Sequence, residues 1–194
     1  MSWLWLAFVA AALAWAARPK KPDPDPNFAP KRALLVVWLA LPDDPPSQVA
    51  EWAAECLGQE LNFQVEVRAK PLLVSRSHFN SPRGQGNAVS LVEEVEKLVN
   101  PQQAVLGLLD YDLHSPLRRD LTFAMGARKG WAGLISTYRM EDRTNSDNTL
   151  QRLRKMVIRY GAELVCDASR NRNPQSVLYE TLQSPEQLDI MVWP

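Results

Sequence analysis

The stretch "VLGLLDYDLHSPLRRDLTFAMGARKGWAGLISTYRM", residues 105–140, decides how this chain folds. It opens on an apolar run broken only by Gly107, too short for a helix and lacking a polar face. Such a run reads as a strand buried on both sides. The strand ends in Asp110 and Asp112. Two shorter segments follow, "DLTFAMG" (120–126) and "WAGLIST" (131–137). They read as short strands, paired antiparallel or lying as neighbours. The stretch is therefore the middle of a sheet.

Working upstream, "RALLVVWLAL" (32–41) is a second continuous apolar run of strand length. In "DDPPSQVAEWAAECLGQEL" (43–61), Asp44 suits a helix cap and Pro45 a first helical position. Val49, Trp52, Cys56 and Leu57 then recur at helical spacing. "FQVEVRA" (63–69) alternates Phe63, Val65 and Val67, as a half-exposed strand does. "NAVSLVEEVEKLVNP" (87–101) puts Val92, Val95, Leu98 and Val99 on one helical stripe, stopped by Asn100 and Pro101. Downstream, "MEDRTNSDN" (140–148) is a polar loop. Asn148 or Thr149 can cap a last long helix with Leu150, Leu153, Val157, Tyr160 and Leu164 as its apolar stripe. The order is β-α-β-α-β-β-β-α with an irregular tail. That alternation predicts an α/β layer fold built on a mixed sheet. Trp38, Trp52 and Trp131 read as core residues. Neither a phosphate loop nor a GxGxxG pattern is present.

The N-terminus has a different composition. Residues 2–17 are apolar and uncharged, and residues 18–31 carry Pro19, Pro22, Pro24, Pro26 and Pro30. Proline at that density gives an extended spacer. The expected organisation is a signal or membrane-anchor segment over 1–17, a tether over 18–31 and a folded domain over 32–194. A small-x-small site at Ala14 and Ala16 fits cleavage. Arg18, Lys20 and Lys21 would favour an uncleaved anchor with a cytoplasmic domain. Trp3, Trp5 and Trp15 suit a membrane interface. The side of the membrane stays open.

Of the 194 residues, 46% are hydrophobic and 23% charged, and Lys+Arg and Asp+Glu are both 22. This is the composition of one globular domain, with no basic excess to suggest nucleic acid as a partner. Cys56 and Cys166 read as two buried thiols rather than a disulfide framework. The chain has two histidines, His78 and His114.

Several segments resemble the archaemetzincin family of zinc metallopeptidases. "RGQGNAVSLVEEV" (83–95) resembles the family's RGQY-type segment leading into a helix. Asp110-Tyr111-Asp112-Leu113, Phe123-Ala124-Met125-Gly126 and Ser136-Thr137-Tyr138-Arg139 resemble its DxDL element, its FG-containing strand and its S-x-x-R strand end. "SPEQLD" (184–189) resembles its closing segment. The resemblance covers residues 31–189 and implies one metzincin-like domain, a mixed twisted sheet with flanking helices.

The family's HExxHxxGxxHC motif would fall on the last long helix, with Arg154 in place of the preceding lysine. The first histidine then falls on Ile158, the glutamate on Arg159 and the second histidine on Ala162. The glycine falls on Val165, the third histidine on Ala168 and the cysteine on Ser169. The CVM segment matches residues 176–178, with Ser176 for its cysteine. In such a site two histidines four apart and a third beyond a turn bind zinc, and the glutamate is the general base. Isoleucine and alanine offer no lone pair, and Arg159 would repel a dication. Val165 disfavours the left-handed turn a glycine allows, so the helix is expected to run on. No metal or other cofactor is expected, and no catalytic residue is assigned.

The resemblance therefore implies a domain that has lost its chemistry and acts by binding a peptide or protein in the former substrate groove. Candidate binding residues are Asp110, Asp112, His114, Arg139 and Arg159. Arg159 would hold a carboxylate in the old cleft, or be solvated or ion-paired. The alternatives are a divergent hydrolase centred on Asp110, Asp112 and His114, or a structural domain. Glu163 and Asp167 read as a solvated helix end.

Overall fold

The computed structural model describes residues 29–45, 47–80, 83–116, 124–142 and 144–193. The expected membrane-directed segment and most of the tether lie outside them. Among the described residues, no helix is long and apolar enough to cross a membrane.

Strands β1 (Ala33–Ala40), β2 (Val65–Val67), β3 (Leu72–Leu73), β6 (Gln103–Leu109), β8 (Gly126–Lys129) and β9 (Ala132–Ser136) form the main sheet. Its order is β2-β1-β6-β9-β8, with β3 continuing along β1 beyond β2. All pairs are parallel except β8 with β9, so the sheet is mixed. A smaller sheet joins β4 (Phe79–Asn80), β5 (Gln85–Asn87) and β7 (Leu113–His114).

Helices α1 (Val49–Leu61) and α3 (Ser146–Val165) pack together on one face of the main sheet, and α2 (Ala88–Glu96) covers the other. The continuous apolar runs follow from this. Leu34 and Val36 of β1 point into the α1/α3 core, while Val37 and Leu39 point into the α2 core. Ala104, Leu106 and Leu108 of β6 split from Val105 and Leu109 in the same way. A strand with helices on both sides has no face left for polar residues.

The mixed α/β architecture is as read from the sequence, with local corrections. Helix α2 ends at Glu96, ahead of Asn100 and Pro101, and Leu98 and Val99 pack half-buried from the turn that follows it. Within the described part of the segment over 120–126, Ala124 makes an isolated bridge to Leu113 and a strand begins at Gly126. Residues 120–123 lie outside the described set, and β8 runs on through Arg128 and Lys129 to a turn at Gly130 (φ +56). Helix α1 starts at Val49, not beside Pro45. The Asp44 carboxylate turns back to accept from the Leu41 amide (2.6 Å) and the Tyr111 hydroxyl (2.6 Å). Helix α3 is capped by Asn145, which accepts from the Asp147 amide at 3.0 Å. Asn148 and Thr149 instead brace Asp142, at 3.0 Å and 2.8 Å. Trp52 is buried as expected, but Trp131 is 37% exposed and lies under the Arg32 guanidinium, 4.4 Å from the ring centre. Cys56 and Cys166 are both buried and not joined in a disulfide.

Candidate functional site

Helix α3 is the organising element. Every residue from Met156 to Val165 is buried, because the helix is enclosed by the sheet, by α1 and by the C-terminal segment. Ile158, Ala162 and Val165 lie in the α1/α3 core, and Ala168 packs against it half-buried. The face on which the family motif would fall is thus a packing face.

The helix does not run on past Val165. The Cys166 and Ala168 amides both return to the Ala162 carbonyl, at 3.1 Å each. The left-handed turn falls on Asp167 (φ 54) rather than Val165. Aspartate tolerates this conformation better than most residues. Here its carboxylate is held by Arg32 (2.7 and 3.1 Å) and Lys31 (3.3 Å). Those bonds, Arg32 foremost, hold its carboxyl down at about 2.

The other face of α3 carries charge. Glu163, expected to be solvated, is completely buried. Its carboxylate meets Arg159 one helical turn earlier (Nε to Oε1, 3.3 Å). Arg170 adds a two-pronged contact (2.9 and 3.1 Å), and Arg128 of β8 reaches Oε2 at 3.3 Å. Arg159 is itself 3% exposed and donates through Nη1 to the Val177 carbonyl at 2.9 Å. Burial, and next the neighbouring charge of Arg170, push the Arg159 guanidinium below its ordinary value. Burial alone would lower Arg170 too, but its hydrogen bonds to Glu163 prevail and raise it. Arg159, the residue expected to stand in for the motif's glutamate, is a guanidinium locked into a four-residue ion cluster.

Asp110, Asp112 and His114 are not brought together as one site. Asp110 is exposed and accepts from the Thr137 hydroxyl at 2.7 Å. Asp112 accepts two bonds from Arg139, both 2.6 Å, and one from Gln85 at 2.8 Å. Burial alone would raise the Asp112 carboxyl, but these bonds hold it below the usual range. A carboxylate so committed orders the β5, β6 and β9 ends and is a poor general base. His114 sits in β7 opposite Asn87, and His78 lies 3.4 Å from Glu94. Among the described residues, no group of three or more His, Cys, Asp or Glu side chains could hold a metal ion. Cys166 is no ready nucleophile, since burial pushes its thiol up to about 11.

Glu163, Arg128 and Arg170 were missed as site residues by the sequence reading. The Arg159–Glu163 spacing of four was a legible helical ion-pair signal. The convergence of Arg128 and Arg170 had no local signal.

No protein-family model matches the chain, and no curated protein matches it by sequence. Solved structures do. An archaemetzincin from Methanopyrus kandleri is 19% identical with a TM-score of 0.63, covering 88% of this chain and 90% of its own. An archaemetzincin from Archaeoglobus fulgidus, complexed with malonate, is 18% identical with a TM-score of 0.64, covering 82% and 92%. A zinc-dependent peptidase from Methanocorpusculum labreanum is 15% identical with a TM-score of 0.62, covering 83% and 95%. The central mixed sheet, the flanking helices and these likenesses together establish that the chain has an archaemetzincin-like fold.

Proposed function

We propose that this protein is a non-catalytic member of the archaemetzincin-like fold that works by binding a peptide or protein in the former substrate groove. The observation that carries this reading is the state of helix α3. A zinc ion would need donors at 158, 162 and 168, and those residues are Ile158, Ala162 and Ala168. Two of them are packed into the core. Arg159, where a base would stand, is buried and spent on Glu163 and the Val177 carbonyl. The residues present do not fit the metal, so no step is derived through one.

Binding has a structural basis that does not need the metal. Strand β8 is the end of the main sheet, pairing only with β9 among the described residues. An extended peptide can add to such an edge through main-chain hydrogen bonds. The N-terminal segment would tether this binding domain to a membrane or direct its export.

Metal content of the full chain tests the non-catalytic part. After dialysis against chelator, elemental mass spectrometry should find less than about a tenth of an equivalent of zinc, iron, manganese or copper. The thermal midpoint should be the same with and without chelator, because structural zinc contributes on the order of 10 kcal/mol where it is present. About one equivalent of retained metal, with a midpoint that falls on its removal, would overturn the reading.

A further inference from the structure

The ion cluster on α3 is unbalanced. One buried carboxylate, Glu163, faces the guanidiniums of Arg128, Arg159 and Arg170, three positive charges against one negative. No second carboxylate pairs with any of the three among the described residues. Arg159 is sealed inside at 3% exposure, but the Arg128 and Arg170 side chains are 35% and 41% exposed. Each turns part of its donor set to Glu163 and has more to offer. Arg170 uses Nε and Nη2, and Arg128 uses Nη1, with its Nε on the Gly130 carbonyl at 3.2 Å.

Two guanidinium forks with surplus positive charge, set around a buried anion, form a recognition site for a second, external anion. Planar guanidiniums match a carboxylate with two parallel bonds. The position selects which carboxylate. Arg128 belongs to β8 itself, the edge to which an extended peptide would add, and β8 ends two residues later at the Gly130 turn. A peptide added parallel to this strand runs out of pairing partner at its own C-terminal end, beside the cluster. We infer that Arg128 and Arg170 hold the C-terminal α-carboxylate of a peptide added to β8. This rests on the groove reading above and narrows its ligand to peptides ending there with a free carboxylate. Arg159 plays a different part. It holds the Glu163 carboxylate from inside the fold, at 3.3 Å.

The test uses the full chain, immobilised, and an equimolar mixture of two random hexapeptide pools. One pool has free C-termini and the other is C-terminally amidated. Retained peptides are counted by mass spectrometry. Free acids should be enriched about tenfold or more over amides, as expected for a charge-assisted pair of bonds. Arg170→Gln should abolish that preference, and Arg170→Lys should keep part of it. Arg128→Gln, which removes only one 3.3 Å contact to Glu163, should weaken it and covers the case in which Arg170→Gln fails to fold. Equal retention of both pools would overturn the carboxylate site and leave the groove reading standing. A preference unchanged in Arg128→Gln and Arg170→Gln would also overturn it. Retention of neither pool above a blank support would overturn both readings.

Discussion

At the scale of single residues, Glu163 controls more than any side chain of the family motif. Among the described residues it is the sole anion paired with three guanidiniums, and one of these, Arg159, is 3% exposed. Removing one partner of a buried pair leaves an uncompensated charge, which costs about 3–5 kcal/mol. Glu163→Gln is therefore expected to destabilise the protein by about that much in urea unfolding. Arg159→Met should cost less than half as much, because Glu163 keeps Arg128 and Arg170 and methionine suits the apolar surroundings. Asp167 makes a smaller, pH-dependent contribution. Its carboxyl is held at about 2 against an ordinary 3.8, so its stabilisation is complete above about pH 4 and fades as pH falls through about 2. The side chain is 38% exposed, which limits the contribution through solvent screening to about 1 kcal/mol at most. Asp167→Asn accepts the left-handed backbone equally well. It should lose that increment at neutral pH and show a flatter stability profile between pH 4 and 2. Only the Arg159–Glu163 spacing hinted at either role in the sequence. Arg128 lies 35 residues from Glu163, and a helix-end glutamate looks solvated until the chain that covers it is in place.

At the scale of elements, the legible parts were those governed by local periodicity. The apolar runs of β1 and β6 and the stripes of α1, α2 and α3 follow directly from burial on two faces or one. The unreadable parts were settled by side chains meeting at a distance. Asp44 was free to cap a helix, but Tyr111 of another segment and the Leu41 amide claim it. Strand β8 was half hidden because Arg128 and Lys129 look like a solvated turn. In fact Arg128 faces Glu163, and Lys129 pairs with Glu93 and Glu96 of α2. This edge strand depends on one close approach. A side chain at Gly126 would meet the Leu134 carbonyl oxygen at 2.3 Å and the Tyr160 hydroxyl at 2.7 Å. Main chain cannot yield as a side-chain tip can, so Gly126→Ala should cost about 1–3 kcal/mol. The loss should be local. Hydrogen exchange of the β8 and β9 amides should accelerate while that of β1 and β6 stays slow. Uniform acceleration across the sheet would show instead that β8 is part of the cooperative core.

At the scale of the whole molecule, the irregular tail closes the fold. Residues 176–193 contain the short helix α4 (Gln187–Ile190) and lie against α3. Val177 and Gln175 exchange backbone bonds with Val192, at 3.1 and 2.7 Å. Leu188 and Met191 are buried in the α1/α3 core. Arg152 of α3, whose side chain is 6% exposed, reaches Asp189 through two bonds of 2.7 Å each, while its other carboxylate neighbour, Asp142, is 3.8 Å away. Lys155 donates to the Leu188 carbonyl at 2.5 Å, and burial pushes its ammonium below the ordinary value. Helix α3 is thus fastened by the Glu163 cluster at one end and by the tail at the other. Asp189→Asn should cost about 1 kcal/mol, since the Asp189 side chain is 32% exposed and Asp142 remains near Arg152. Deleting residues 187–194 should cost more, because the Leu188 and Met191 cavities add about 2–5 kcal/mol each to the same broken pair. The shortened chain should be unfolded, or molten by near-ultraviolet circular dichroism, at room temperature. A shortened chain with an unchanged urea midpoint would mean that α3 holds its place through the Glu163 cluster and the sheet alone. The tail would then be a removable cover over the core.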